Sequence, residues 1–295
     1  MHSLKKLFVV MSVGLSTCGA LSILSPSTSR AQTEPACPSS PAAAGLADKE
    51  AFGSSTTYNG FCRGTPSVYA ISVYKMGFCS SNPIAGGAGV KADYSSCQMT
   101  FISSGASGTP ASFAAGSSFA LPASGTLFPL VGSYKYALIE LSPSFDIADS
   151  FGPFGDGNTY YSTSGSTTTG SPASTTSGSA ATFTHNMNTF EDGTSCVATD
   201  TVSVTGATLT GALLDGGDVL ITNSSAPGCS GVSKLLGVAA LSTPVVITTA
   251  TKGLIANFTV TDNGSSVFCD GKGPAGCDNI EFSSGPFNVS FTVVK

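Results

Sequence analysis

Carboxylates are the best-stocked chemical class in this chain, and they gather in two places. Asp146, Asp149 and Asp156 lie with Asn158 inside thirteen residues, and Asp215-Gly216-Gly217-Asp218 reads as a turn. Oxygen ligands carried on glycine-rich loops are what calcium takes. Asp146, Asp149, Asp156 and Asn158 are therefore the candidate metal ligands, although their spacing is not that of an EF-hand. Two carboxylates held the right distance apart can do acid–base work on a glycosidic bond, which makes Asp215 and Asp218 candidates in a secreted glycoside hydrolase. The competing explanation is ordinary, since aspartate is favoured in turns for bonding its own backbone. No residue is expected to be catalytic, and no cofactor is expected.

Other chemistries have thinner support. G-x-S-x-G does not occur, and a Ser/His/Asp triad would have to recruit His185. That histidine runs in step with Phe183 and Met187 along Thr182–Met187, as a packed strand residue would. Gly271-Lys272-Gly273-Pro274-Ala275-Gly276 matches G-x-G-x-x-G, but it contains a proline and leads into no helix. A dinucleotide site needs that pattern between a strand and a helix, so this one reads as a loop, and Gly87-Ala88-Gly89 fails in the same way. Tyr160-Tyr161 with Phe151 and Phe154 could form a sugar platform, in a chain without tryptophan. Packing in and beside strands accounts for such aromatics equally well. Sequons stand at Asn223, Asn257, Asn263 and Asn288.

Cysteine usage points to an oxidising compartment. Nine cysteines are present, and removal of Cys18 with a leader leaves an even set. None is spaced as C-x-x-C and His185 is the single histidine beyond the leader, so a Cys/His zinc site is not expected. Cys269 and Cys277 bracket Asp270–Gly276, whose three glycines and proline suit a tight loop between antiparallel strands. Cys79 ends a strong strand pattern and Cys97 opens the next, so the same logic pairs them. That leaves Cys37 with Cys62 and Cys196 with Cys229.

The leader itself is legible. Lys5 and Lys6 precede the apolar run Leu7–Leu15, and Ser29-Arg30-Ala31 offers a small-residue cleavage site before Gln32. Leu15-Ser16-Thr17-Cys18 also resembles a lipoprotein signal acylated at Cys18, with Thr17 departing from the usual Gly, Ala or Ser. Leu7–Ile23 falls short of a strongly apolar membrane span, so no transmembrane anchor is expected. Loss of Lys5, Lys6 and Arg30 would cut the 12 basic residues to nine against 17 acidic. So acidic a chain lacks the basic footprint that nucleic acid or an anionic membrane requires. Charged residues are only 10% of the whole, well below the ~25% of ordinary globular proteins.

Positioning elements are expected to be strands throughout. Candidates are Ser67–Met76, Gln98–Ser103, Ser133–Leu141, Asn158–Ser162, Ala181–Met187, Cys196–Val204, Asp218–Thr222, Val245–Thr249, Leu254–Thr261 and Phe287–Val294. Ser233–Ala240 is the one stretch that suggests a short helix. The expected fold is an all-β antiparallel sandwich, Ig-like or jelly-roll-like, disulfide-bonded, with long Gly/Ser/Thr-rich loops. Residues 1–31 form the leader, 32–57 an N-terminal extension and 58–295 the sandwich, with 162–180 a low-complexity loop. The alternative is two β-domains, 58–161 and 181–295. The function expected is a secreted, non-catalytic surface or structural protein, such as an adhesin, matrix or filament-type subunit. Self-association or a surface glycan or protein would be its partner. A carbohydrate-binding module and a carboxylate-dependent hydrolase are the alternatives.

Overall fold

β-branched and aromatic residues in short runs, punctuated by Gly, Ser, Asn and Pro, favour strands over helices. The computed structural model describes residues 36–37, 61–113, 125–153, 158–168, 175–190, 195–204, 206–269 and 280–295. Seventeen strands and no helix occur among them. In chain order these are β1 (Phe61–Gly64), β2 (Val68–Cys79), β3 (Cys97–Ile102), β4 (Thr109–Phe113), β5 (Gly132–Leu141), β6 (Ser144–Ala148) and β7 (Ser150–Phe151). They continue with β8 (Tyr160–Tyr161), β9 (Gly165–Thr167), β10 (Phe183–Asn186), β11 (Thr199–Val204), β12 (Ala207–Leu214) and β13 (Lys234–Ile247). The last are β14 (Gly253–Thr259), β15 (Ser265–Cys269), β16 (Ile280–Ser284) and β17 (Asn288–Val294).

The long strand β2 organises the main sheet. β3 pairs with residues 75–79 and β4 with 69–73, while β5 and β6 pair with the same two halves. A strand has only two edges, so β3 and β4 follow each other along one edge and β5 and β6 along the other. From β5 the sheet continues through β13 and β12 to β11, and from β6 through β10 to β9. All these pairs are antiparallel except β10 with β9. Strands from both sides of residues 162–180 thus share hydrogen bonds in one sheet, as β13 does with β5.

A second layer comes from the C-terminal quarter of the chain. β14 pairs with β17 and β15 with β16, so residues 253–269 and 280–294 form one long hairpin broken by a kink at 260–264 and 285–287. β1 adds to its side through β15. The layer packs on one face of the main sheet. Phe78 meets Phe291 edge to face at 4.7 Å, and Tyr69 is ringed by Phe113, Phe145 and Phe287. Each large apolar side chain buried in this way contributes roughly 1.5–3 kcal/mol. The protein is thus a disulfide-bonded, all-β, sandwich-like fold.

The opposite face of β2, β5, β13 and β12 carries a smaller apolar cluster of Leu138, Leu214, Leu220, Leu236 and Val238. Loops cover it rather than a sheet. Three disulfides join Cys37 to Cys62, Cys79 to Cys97 and Cys196 to Cys229. Cys79 and Cys97 sit directly opposite each other in the β2–β3 ladder. The leader, Cys18, the GKGPAG segment, Asp156, Phe154, Cys277 and the side chain of Cys269 lie outside the described residues.

Two expectations fail here. Ser233–Ala240 is not helical: it forms the first half of β13, between β12 and β5. Apolar cover on both sheet faces buries Leu235, Leu236, Val238 and Ala239 alike, which erases the alternation that marks a half-buried strand. Asp218–Thr222 is not a strand either. It is a turn and a short extended stretch whose β-bridges, Val219 with Lys91 and Leu220 with Leu214, are isolated ones.

Candidate functional site: a charge cluster roofed by two loops

Glu140 faces the loop-covered side of β5. Its register partner is Lys75 on β2, and Leu236 on β13 flanks it on the other side. Lys234, two residues before Leu236, points the same way, so three adjacent strands deliver two ammonium groups to one carboxylate. Lys75 Nζ donates to Glu140 Oε2 at 2.9 Å, and Lys234 Nζ lies 3.3 Å from Oε1. Tyr94 donates its hydroxyl to Oε2 at 2.9 Å, with Lys75 Nζ 4.9 Å from the centre of its ring. Asp218 closes the group: Oδ1 accepts from Lys234 Nζ, and Oδ2 stands 3.5 Å from Lys75 Nζ.

Two positive and two negative charges cancel, which is what makes their burial tolerable. The Glu140 side chain is 1% exposed, against 16% for Asp218, 21% for Lys234 and 25% for Lys75. Burial pushes the Asp218 carboxyl up, but the bonds and charges of Lys234 and Lys75 outweigh it and hold it below the usual range. Burial pushes Lys234 down, and Asp218 and Glu140 more than reverse that. Burial, with the Glu140 charge and bond beside it, raises Tyr94 far above an ordinary phenol. Tyr94 therefore remains a hydroxyl donor.

The roof is built by local turn chemistry. Asp215 Oδ1 accepts from the amides of Gly217 at 2.7 Å and Val219 at 2.9 Å. That folds Asp215–Val219 into a tight turn and places Asp218 in the left-handed region, φ 67°, which aspartate tolerates better than most residues. The second loop, 80–96, is closed at its base by the Cys79–Cys97 disulfide. Its backbone is stitched to the first loop, with Ala92 N donating to Asp218 O, Gly89 N to Leu220 O and Leu220 N to Val90 O. Gly89 supplies the positive φ that this stitch needs, inside the Gly87–Gly89 stretch.

A second polar cluster lies between the layers. Asp149 is buried just after β6 and accepts from Ser265 Oγ on β15 and from Ser150 N. Burial raises its carboxyl to about 6 despite those bonds. His185 on β10 is fully buried, with Nδ1 2.7 Å from Ser284 Oγ on β16 and Nε2 3.4 Å from Thr168 O. Burial lowers the imidazole to about 4. Ser265 and Ser284 are register partners, so the two groups bond the two ends of one rung of the hairpin. His185 has a serine on one nitrogen and a carbonyl near the other, which is packing chemistry rather than a triad.

The expected site residues scatter. Asp146 is exposed and accepts from Thr184 Oγ1 at 2.6 Å, Asp149 turns inward, and Asn158 is exposed. No group of three or more His, Cys, Asp or Glu among the described residues is placed to hold a metal ion. Asp215 Oδ1 accepts from turn amides, and the two oxygens of Asp218 face Lys234 and Lys75. Phe151 is buried, and Tyr160 packs against the same core. Asp218 is the one member of the charge cluster that turn chemistry singles out in the sequence. Lys75, Glu140 and Lys234 show there only as solitary charges inside apolar strands, a signal in its own right where charge is so scarce. Compared with known protein families, curated proteins and solved structures, the chain matches none.

Proposed function

We propose that this is an exported, non-catalytic structural protein of the cell surface or extracellular matrix, an adhesin, matrix or filament-type subunit. The observation that carries the reading is the set of three disulfides, closing loops of 25, 18 and 33 residues. Such crosslinks persist in oxidising compartments, and each typically adds ~2–4 kcal/mol by restricting the unfolded chain. The export-type leader supports the same location. The charge cluster supports the non-catalytic part, because each of its carboxylates is engaged in fixing a loop to the sheet.

Fractionation and N-terminal sequencing of the native protein test the proposal. The expected result is a chain beginning at Gln32 outside the cytoplasm. An intact Met1 on cytosolic protein with free thiols overturns it.

A further inference from the structure

We propose that the charge cluster makes a covalent bond: an intramolecular amide between Lys234 Nζ and Asp218 Cγ, formed by the protein itself with Glu140 relaying the protons. The proposal is independent of the functional reading above. Lys234 Nζ is in contact with Asp218 Oδ1 and 3.3 Å from Glu140 Oε1. An amine, its acceptor carboxyl and a proton shuttle therefore already stand in reacting order, beside the apolar cluster that Leu214 and Leu236 of the sheet form with Leu220 of the roofing loop. Amide formation from a free amine and acid is disfavoured in bulk water. Fixed neighbours, however, reach effective molarities of ~10⁵–10⁸ M, and an apolar surround lets the released water leave.

The balance is complete without an outside reagent. At rest both groups are charged, so the Lys234 ammonium first hands a proton, through Glu140 Oε1, to the Asp218 carboxylate. This gives a neutral amine and a carboxylic acid. The nitrogen lone pair adds to Cγ and forms the C–N bond. The nitrogen then releases a second proton to Glu140, which passes it to the departing hydroxyl. The C–O bond breaks, water leaves, and Glu140 ends as a carboxylate. Two neighbours position this machinery. Tyr94 and Lys75 both hold Glu140 Oε2, leaving Oε1 to face Lys234. Lys75, 3.5 Å from Asp218 Oδ2, supplies positive charge where the tetrahedral oxyanion develops.

Mass spectrometry of the purified, reduced and denatured full chain decides the matter. The expected result is one water less than the reduced sequence mass, and a branched peptide joining the Asp218 and Lys234 segments after digestion. The branch is essential, because a succinimide at Asp215-Gly216 loses the same water without joining two peptides. Lys234→Arg keeps the charge and should restore the full mass. Asp218→Asn should still give the branch, with loss of ammonia in place of water. Glu140→Gln should abolish or greatly slow the branch while Cys79–Cys97 still forms. Recovery of Asp218 and Lys234 on separate linear peptides from the folded wild-type protein overturns the proposal, as does a branch through Lys75. A branch of undiminished yield in Glu140→Gln overturns the role given to Glu140.

Discussion

At 1% side-chain exposure, the Glu140 carboxylate is bonded by Lys75 and Tyr94 and faces Lys234. Glu140→Ala leaves two lysines facing one remaining carboxylate, and removing one partner of a buried pair typically costs ~3–5 kcal/mol. Denaturant unfolding should show that loss. Between the layers, Asp149 and His185 give opposite pH dependences. Asp149 titrates near 6 when folded and near 4 when unfolded, so its contribution is full at low pH and is lost as pH rises through about 6. His185 titrates near 4 when folded and near 6.5 when unfolded, so its contribution is full above 6.5 and is lost as pH falls through about 4. Each amounts to roughly 3 kcal/mol across that window, and in the wild type they offset. Asp149→Asn should therefore expose a stability that climbs from pH 4 to 6.5. His185→Gln should expose one that falls from pH 4 to 6. Denaturation midpoints across that range check both signs. These residues were only partly legible in the sequence. Asp215 and Asp218 announce themselves because turn chemistry is local, whereas Lys75 and Glu140 are 65 residues apart and meet only through strand register.

Elements divide along the same line. β2, β3, β5 and β17 follow from alternation and turn punctuation, and their observed bounds differ from the expected ones by a few residues. β13 does not, because its pattern depends on what covers both faces of the sheet. Gly237 sits opposite both Gly211 and Ile139, and Phe190 packs over Gly211, so the glycines that weaken the strand pattern make room for neighbours. β15 and β16 are silent in the sequence for a related reason. Their inward residues Ser265 and Ser284 read as polar in sequence and become interior only by bonding Asp149 and His185. The kink between the two halves of the C-terminal hairpin is equally specific. A Cβ at Gly285 would stand 2.1 Å from the carbonyl oxygen of Asn263, where only backbone could move. Gly285→Ala should destabilise the fold by about 1–3 kcal/mol, read as a lower thermal midpoint. Gly87→Ala meets no atom within 4 Å but must adopt φ 76°, so it should show only a small backbone cost.

On the scale of the whole molecule, the chain is acidic and weakly charged, and its described residues include a concentrated apolar stretch. Leu127, Phe128, Leu130 and Val131 are 50–65% exposed beside the similarly open Ile102. Scattered apolar residues are unremarkable, but a contiguous run favours association. Self-association through this stretch is expected, and light scattering across a wide concentration range should detect it. Phe128→Glu with Leu130→Glu should abolish it while changing stability by no more than about 0.5 kcal/mol. A monomeric wild type at every concentration would count against the surface. The long C-terminal hairpin has a mechanical consequence too. β1 and β17 run in the same direction at opposite ends of the second layer, because both are antiparallel to the continuous β14–β15 arm. Phe61 at the start of β1 and Val294 at the end of β17 therefore stand at opposite ends of that arm, beside Phe268 and Gly253. A pull on the two would load the hydrogen bonds of the β1–β15 and β14–β17 ladders side by side, in shear, instead of opening them one at a time like a zipper. Load would enter and leave through the layer that is itself buttressed by the aromatic core around Tyr69.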